Sequence, residues 1–208
     1  MRVGVLALQG TFIEHVASLR QLAVEAAPVR LPSELEMLDG LIIPGGESTT
    51  MLRLMEDYGL IQPIRELAGE GLAIWGTCAG MVLLARGVSN YEMETLGLID
   101  AKVKRNAFGG QVDSFEADLE IPAIGKKPFH GVFIRAPIIE EISPCVEIVS
   151  RLRDGTIIVI RQNRLLACAF HPEFTSDTRF HSYFLNMVSR ERSDKPKNRS
   201  LRGSQAGS

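Results

Sequence analysis

The chain has few cysteines, and they form none of the patterns that hold a disulfide framework or a metal ion. Its 208 residues include three cysteines, Cys78, Cys145 and Cys168, an odd number with no CxxC pair. This spacing excludes the common zinc signatures and the small scaffolds that depend on disulfides. Unpaired cysteines are typical of a reducing compartment, so we expect a cytoplasmic location. Cys168, inside the strand pattern LLACAF, is predicted to be core, and Cys145 to be an inert loop residue.

Long apolar runs and a strong net charge are absent as well. No apolar stretch approaches the ~20 residues that a membrane helix needs. The early run VGVLAL is too short for the apolar core of a secretory signal. The formal net charge is −2, which gives no general attraction to nucleic acid or to anionic lipid. We therefore expect no membrane and no nucleic acid among the partners, and we expect no metal or other cofactor.

Short apolar runs alternate with helical patterns in the first half of the chain. The runs are typical of strands buried on both faces, and they stand at 3–8, 28–31, 40–46 and 72–76. Helical patterns lie between them at 12–22, 50–58, 61–70 and 79–85. This order predicts an α/β fold, a three-layer sandwich around a mostly parallel central sheet of the flavodoxin-like kind.

The second half predicts a small antiparallel extension of that sheet. From about residue 100 to 135, short β-like pieces are broken by Gly, Pro and Asn. Strand patterns follow at 146–152, 156–162 and 165–170, the first two joined by a turn at 153–155, and a last helix at 177–191. After Ser189 the chain carries six basic and two acidic residues. We expect one domain, 1–190, and a disordered basic tail, 191–208.

Cys78 stands where an apolar strand pattern ends and a helical pattern begins, in the stretch AIWGTCAG. Its neighbours Gly76, Ala79 and Gly80 are small, as a strained turn between a strand and a helix requires. The start of a helix favours a thiolate, and the N–H of Ala79 would face a developing oxyanion. An isolated cysteine is commonly a small buried residue, but this context favours a nucleophile.

His171 is the predicted base for such a nucleophile, because it follows the strand pattern LLACAF. Glu173, two residues further on across an extended proline, can turn its carboxylate back toward the imidazole. His15, early in the first predicted helix, is the rival base, but it has no fixed carboxylate partner. We expect His181 on the surface of the last helix, and His130 has no evident role.

The stretch IIPGGESTT, residues 42–50, is the third feature. Its glycines let the backbone approach a ligand closely, and free N–H groups at the turn can hold a developing negative charge. The alternative is a plain loop in which Ser48 or Thr49 caps the next helix. The Gly-Lys-Ser/Thr ending of a phosphate-binding loop is missing, and Ser48 does not stand in a G-x-S-x-G elbow. A phosphate loop is therefore excluded, and a serine hydrolase is disfavoured.

These motifs together carry a resemblance. GTCAG, PGGEST and FHPE resemble the class I, or triad, glutamine amidotransferases. LALQG, PGGESTT, KRNAFGGQVDSFEADL and GVFIRAP resemble more closely the family of glutaminase subunits of pyridoxal 5′-phosphate synthase. The resemblance runs from Val3 to about Val188. Gly110 is a departure, because a basic residue often follows "FG" in that family.

The resemblance implies a glutaminase with a Cys-His-Glu triad. Cys78 would attack the side-chain amide of L-glutamine, His171 would move the proton, and Glu173 would hold the imidazole in the useful tautomer. It also implies an oxyanion hole formed by the backbone of Gly46 and Ala79. The implied substrate-binding residues are Gly46, Glu47, Ser48, Arg105, Ile134 and Arg135.

The resemblance further implies a heteromeric complex. A separate synthase subunit would take the ammonia and build pyridoxal 5′-phosphate from a pentose phosphate and a triose phosphate, and Gln9 and Gly10 are a candidate contact surface for it. Two alternatives stay open. One is a different glutaminase, such as the subunit that serves imidazole glycerol phosphate synthase, or a free-standing peptidase on the same fold. The other is a non-catalytic binding domain, against which the intact set of Cys78, His171 and Glu173 argues.

Overall fold

The computed structural model describes residues 1–107 and 114–189, so Gly110 and the tail 191–208 lie outside the described residues. The strands are β1 (Arg2–Leu6), β2 (Glu25–Val29), β3 (Gly40–Ile43), β4 (Ala73–Thr77), β5 (Ala85–Val88), β6 (Ile99–Lys104), β7 (Ser114–Leu119), β8 (Phe129–Ile134), β9 (Ile138–Ile142), β10 (Glu147–Arg151), β11 (Ile157–Gln162) and β12 (Leu165–Cys168). The helices are α1 (Phe12–Gln21), α2 (Ser48–Asp57), α3 (Ile61–Gly69), α4 (Ala79–Leu84) and α5 (Arg179–Ser189). Short 3₁₀ turns lie at Pro32–Leu35, Pro122–Ile124 and Pro172–Phe174. None of the described helices is both long enough and apolar enough to span a bilayer.

One large mixed sheet organises the molecule, in the order β2-β1-β3-β4-β12-β11-β9-β6-β5, with β10 also paired to β11. Five neighbouring strands, in the sheet order β2-β1-β3-β4-β12, run parallel to one another. The direction reverses at β11, which is antiparallel to β12, β9 and β10. β7 and β8 form a separate antiparallel hairpin. The parallel sheet with an antiparallel extension is confirmed, and the extension holds five of the strands.

Helices cover both faces of the parallel strands, as the alternation of side chains along β4 shows. Trp75 points to one face, where its ring packs against Phe180 and Phe184 of α5 at centroid distances of 5.3 and 5.5 Å. Gly76 points to the other face and lies against Gly80 of α4. Each fully buried ring contributes about 1.5–3 kcal/mol of hydrophobic free energy. The three-layer arrangement follows from this two-sided burial.

Two strands are not visible in the sequence pattern. β5 has the sequence ARGV, whose arginine and glycine interrupt any apolar run, and it exists because it pairs with β6. β9 directly follows the GVFIRAP stretch and pairs with β6 and β11. The predicted turn at 153–155 is confirmed: Gly155 has φ +91°, and its N–H donates to the carbonyl of Leu152 at 2.9 Å.

Candidate active site

Four segments meet at the carboxyl edge of the parallel strands. Thr11 follows β1, Gly46 follows β3, Cys78 follows β4 and His171 follows β12. These strands are neighbours in the sheet, in the order β1-β3-β4-β12, so the segments that leave them lie side by side. Ligands of open α/β sheets bind at this edge, and the separate sequence motifs therefore converge on one place.

Cys78 occupies a strained turn between β4 and α4, as the sequence predicts. Its backbone angles are φ +47° and ψ −103°, in a region that non-glycine residues rarely adopt. Its N–H donates to the carbonyl oxygen of Cys168 at 2.8 Å. Small neighbours are required, because a Cβ at position 80 would lie 2.0 Å from the carbonyl oxygen of Ile43. The fold thus holds the sulfur at a fixed point above the sheet edge.

The imidazole of His171 bridges Cys78 and Glu173. Its ring shares a pocket wall with Cys78, close enough for the two groups to interact electrostatically, and its Nδ1 atom lies 2.7 Å from Oε1 of Glu173. The hydroxyl of Thr11 donates to the same carboxylate oxygen at 2.6 Å. Thr11 stands at the N-cap of α1, yet its side chain makes no capping hydrogen bond. Gly45 packs against the ring, since a Cβ there would lie 2.2 Å from Cε1 of His171.

The protonation states follow from these contacts. Burial alone would lower the pKa of His171, but the hydrogen bonds to Cys78 and Glu173 outweigh burial and raise this pKa to about 10. Burial alone would raise the pKa of Glu173, but His15, His171 and Thr11 outweigh it and lower this pKa to about 2. Glu173 is therefore an anion at neutral pH, and the Nδ1 atom of His171 carries a proton that it donates to the carboxylate.

The far side of Glu173 faces two further histidines. His15 is fully buried, with Nε2 3.3 Å from Oε2 of Glu173 and 3.3 Å from Oγ1 of Thr77. Its Nδ1 atom lies 3.0 Å from Nε2 of His181. The expectation of a surface position for His181 is wrong, because this residue is 1% exposed and its ring stands against Trp75 at 5.0 Å. His15 also differs from the expectation, because it does have a carboxylate partner, supplied by a distant part of the chain.

A pocket of about 370 Å³ opens above Cys78 and His171, within the usual size range of small-molecule sites. The structure brings all the candidate oxyanion-hole and substrate-binding residues to its wall: Gly46, Glu47, Ser48, Ala79, Arg105, Ile134 and Arg135. The wall also includes Gln9, Gly10, Thr11, Val82, Asn106, Pro137 and Phe174. A larger groove of about 660 Å³ lies beside β7 and the turn at 151–154, but Cys78 and His171 do not line it.

Arg105 is held in place at the pocket by three neighbours. Its guanidinium donates to Oε1 of Glu47 at 2.8 Å and lies 4.9 Å from the ring centroid of Tyr91. Its backbone N–H and carbonyl oxygen are both hydrogen-bonded by the side chain of Asn90, each at 2.9 Å. The guanidinium is thus oriented toward the pocket before any ligand binds.

Glu47 caps α2, in place of the Ser48 or Thr49 cap considered from the sequence. Its carboxylate accepts from the N–H of Thr50 at 2.8 Å and from the hydroxyl of Thr49. Partial burial opposes ionisation, but these hydrogen bonds outweigh it and lower the pKa of Glu47 to about 2. The N–H of Glu47 itself donates to the side-chain oxygen of Gln9 at 2.8 Å. The pocket therefore presents a fixed anion beside the cation of Arg105.

The backbone of the pocket offers several further polar groups. Ala79 is the first residue of α4, where N–H groups have no acceptor within the helix. Ile134 is the last residue of β8, and its carbonyl oxygen lies 3.8 Å from the sulfur of Cys78. Arg135 follows with φ +42°, a left-handed conformation that turns the chain at the pocket wall.

Sequence reasoning missed Thr11 and Phe174 as members of the site. The ring of Phe174 stacks on the ring of His171 at 5.1 Å with an interplanar angle of 24°. Thr11 could have been found from its position just after a buried strand, at the same sheet edge as the other motifs. Phe174 follows Glu173 directly, but only the 3₁₀ turn at Pro172–Phe174 brings its ring onto the imidazole.

The remaining cysteines and histidine lie away from the pocket wall. Cys168 is fully buried in β12, as predicted, and burial raises its pKa. Cys145 is exposed, with its sulfur 3.5 Å from Oδ2 of Asp100. His130 lies within β8 on the exposed side of the hairpin. There, hydrogen bonds to Asp118 and then to Glu116 raise its pKa.

Comparisons with known proteins show which family the chain resembles in sequence and in fold. The SNO glutamine amidotransferase family model matches residues 5–190. A pyridoxal 5′-phosphate synthase subunit PdxT from Moorella thermoacetica is 57% identical over 90% of this chain and 100% of its own length. The subunit of that name from Herpetosiphon aurantiacus is 53% identical, again over 90% of this chain and 100% of its own length. A crystal structure of a glutamine amidotransferase shares 49% identity, with a TM-score of 0.86 over 90% of this chain and 98% of that chain.

Proposed function

The chain belongs to the SNO glutamine amidotransferase family, and from this premise we infer that it hydrolyses L-glutamine to L-glutamate and ammonia. We propose that it passes the ammonia to a synthase subunit, which makes pyridoxal 5′-phosphate from a pentose phosphate and a triose phosphate. The observation that carries the proposal is that Cys78 and His171 line one pocket, with Glu173 hydrogen-bonded to the imidazole at 2.7 Å.

This arrangement supplies the parts of a thiol-dependent amide hydrolysis. The sulfur of Cys78 attacks the side-chain carbonyl carbon of glutamine, and the oxyanion that forms accepts hydrogen bonds from the backbone N–H groups of Gly46 and Ala79. His171 donates a proton to the departing ammonia, which leaves a thioester on Cys78. Water, deprotonated by His171, then releases glutamate. Glu173 holds the imidazole with its Nδ1 proton directed at the carboxylate throughout.

The charges at the pocket suit a free amino acid. The guanidinium of Arg105 can pair with the α-carboxylate of glutamine in a forked geometry. The ionised carboxylate of Glu47 is complementary to the α-ammonium group of the same substrate. Ser48, Ile134 and Arg135 complete the wall around it. Both substrate charges therefore meet an opposite charge at one end of the pocket, while the amide reaches Cys78.

The names of the relatives favour the pyridoxal 5′-phosphate synthase partner over the subunit that serves imidazole glycerol phosphate synthase. Ammonia released into water would be protonated and lost as a nucleophile, so a heteromeric complex with the acceptor subunit is the physically reasonable arrangement. We place this complex in the cytoplasm, and we propose Gln9 and Gly10, at the pocket rim, as part of the contact surface.

The test is to measure glutamate release at saturating glutamine with and without the synthase subunit. We expect this chain alone to be a poor glutaminase, and the complex to be an active one. The physical reason is that an oxyanion hole acts only when its donors already point at the developing charge. The peptide unit between Gly45 and Gly46 can adopt more than one orientation, and docking of the synthase subunit can select the one in which its N–H points at the oxyanion. No glutamate release from the complex would refute the proposed function, and equal turnover in both samples would refute only the dependence on the partner.

A further inference from the structure

The carboxylate of Glu173 is held differently at its two oxygens. Oε1 accepts from Nδ1 of His171 at 2.7 Å and from the hydroxyl of Thr11 at 2.6 Å. Oε2 is buried and makes no well-aligned hydrogen bond within the described part of the chain. The Nε2 atom of His15 lies 3.3 Å from it. A buried anionic oxygen without a donor is costly, so the proton state of His15 decides whether this contact stabilises the carboxylate.

The ring nitrogens of the two buried histidines can be assigned by satisfying the atoms around them. Burial lowers the pKa of His15 and lowers that of His181 to about 3, so each ring is neutral and carries one proton. If His15 is protonated at Nε2, this proton lies between Oε2 of Glu173 and Oγ1 of Thr77, each 3.3 Å from the nitrogen. The Nδ1 atom of His15 then accepts from Nε2–H of His181 across 3.0 Å. The Nδ1 atom of His181, which has no partner among the described residues, is then a bare acceptor.

The opposite assignment leaves two unfavourable groups. If His15 is protonated at Nδ1, it donates to Nε2 of His181, which must then carry its own proton at the buried, unpartnered Nδ1. The Thr77 hydroxyl could then donate to His15 Nε2 at 3.3 Å, but the lone pair of this nitrogen would still lie 3.3 Å from the anionic oxygen of Glu173. A buried N–H group without an acceptor and the repulsion between a lone pair and a carboxylate both raise the free energy of the folded state. The first assignment is therefore favoured.

We propose that His15 is a positioning residue for the reaction, which holds the outer oxygen of Glu173 through its Nε2 proton, with His181 fixing that tautomer from behind. The inference rests on the proposed function for its kinetic consequence only. The chain of contacts then runs from His181 of α5 through His15 of α1 to Glu173, and onward to His171 and Cys78. It ties two helices on one face of the sheet to the orientation of one carboxylate.

This role differs from that of an ordinary core residue. His15 packs edge-on against Trp75, with ring centroids 5.3 Å apart, so a large apolar side chain could fill the same space. Only a side chain with a donor at the Nε2 position could also hold the carboxylate. His15 does not line the pocket, so its loss should not weaken glutamine binding. Substitutions at His15 that keep its bulk but differ in whether they keep a hydrogen-bond donor can therefore separate a packing role from a positioning role.

The kinetic experiment compares His15→Gln with His15→Leu in the complex with the synthase subunit. The amide nitrogen of glutamine reaches about as far as imidazole Nε2, whereas leucine keeps bulk without a donor. We expect His15→Leu to lower kcat about 10- to 100-fold, the usual effect of losing a partner that orients a functional group, with KM for glutamine unchanged. His15→Gln should restore most of kcat. The matched control, His130→Gln on the exposed hairpin, should change neither constant.

Wild-type kcat in a folded His15→Leu variant, or equal loss in both His15 variants, would overturn the proposal. Wild-type complex without glutaminase activity would instead refute the proposed function.

A second measurement tests the protonation of His15 in the wild-type protein. It requires no enzymatic activity, so it remains decisive even if the His15→Leu variant fails to fold. Long-range ¹H–¹⁵N NMR of the ¹⁵N-histidine-labelled protein should show His15 and His181 both neutral and protonated at Nε2. A proton on Nδ1 of His15 would contradict the arrangement, whatever the kinetics show.

Discussion

The parallel strands and the antiparallel parts of the molecule approach the pocket with different residues. The segments that follow β3, β4 and β12 carry Gly46, Cys78 and His171, which are the groups proposed to carry the reaction. The antiparallel strands β6 and β8 end next to Arg105, which is proposed to bind the α-carboxylate of the substrate, and Arg135, which lines the pocket wall. The reacting groups thus follow neighbouring buried strands, and Arg105 and Arg135 stand on a partly exposed rim.

This difference has a physical basis. A strand buried on both faces cannot shift without disturbing two layers of packed side chains, so groups at its end are held to a fixed geometry. The rim is held by hydrogen bonds such as those of Asn90 to Arg105, which are closer to water. We therefore expect substitutions at the parallel edge to act on kcat, and substitutions at the antiparallel rim to act mainly on KM.

The largest effect should come from Cys78→Ala. Without the sulfur no thioester can form, so glutamine hydrolysis by the complex should fall to background. Folding should be retained, because a small side chain suits the turn. Added ammonia should still support pyridoxal 5′-phosphate formation by the synthase subunit, since only the nitrogen source is lost. Glutamate release close to that of the wild type would show that Cys78 is not the nucleophile.

Glu173→Gln should lower kcat by roughly 10⁴-fold, as the loss of the buried acid does in a Ser-His-Asp triad. The variant also removes the anion that opposes the effect of burial on His171. The pKa of His171 should therefore fall from about 10, although Cys78 continues to raise it, and an NMR titration of the histidine ring can measure the change. An unchanged pKa would argue against Glu173 as the cause of the shift.

The same shift predicts how stability depends on pH. The folded-state pKa of His171 lies above the ordinary 6.5. Its protonation therefore stabilises the folded chain fully below pH 6.5, and this contribution is lost as the pH rises through about 10. Between these values, urea unfolding should show a steeper loss of stability in the wild type than in Glu173→Gln. Parallel curves would contradict the assignment.

Arg105→Lys tests the rim. Lysine keeps the charge but loses the forked geometry and the stacking on Tyr91. We expect KM for glutamine to rise roughly tenfold, in line with one charged hydrogen bond, and kcat to change little. Steady-state kinetics of the complex decide between these effects. A fall in kcat at constant KM would place Arg105 among the groups that act on the reaction itself.

The smallest effect on activity should come from Cys168→Ala, one strand away from the nucleophile. Cys168 is fully buried, and its backbone carbonyl, which alanine retains, accepts the N–H of Cys78. The free energy of unfolding should fall by about 1–2 kcal/mol, while kcat and KM stay near those of the wild type. Urea unfolding and kinetics on the same preparation separate this outcome from Cys78→Ala.

Local sequence determined a large part of this picture. The continuous apolar runs of β1, β3 and β4 require burial on both faces, and the small residues around Cys78 indicate a strained turn. The proximity of Glu173 to His171 follows from their spacing across one proline. These features depend on neighbours within a few residues, so the order of the amino acids is enough to predict them.

Only the tertiary structure decided the surroundings of Glu173. Thr11 stands 162 positions from Glu173, and His15 stands 166 positions from His181. Nothing in the local sequence around Thr11, His15 or His181 indicates that they meet at one carboxylate. The strand order places β4 beside β12 and β1 in the same parallel part of the sheet, and packing on one face brings α1 and α5 together around Trp75. Contacts between distant segments depend on this packing, because a buried polar group takes its partner from whatever element the sheet order sets against it.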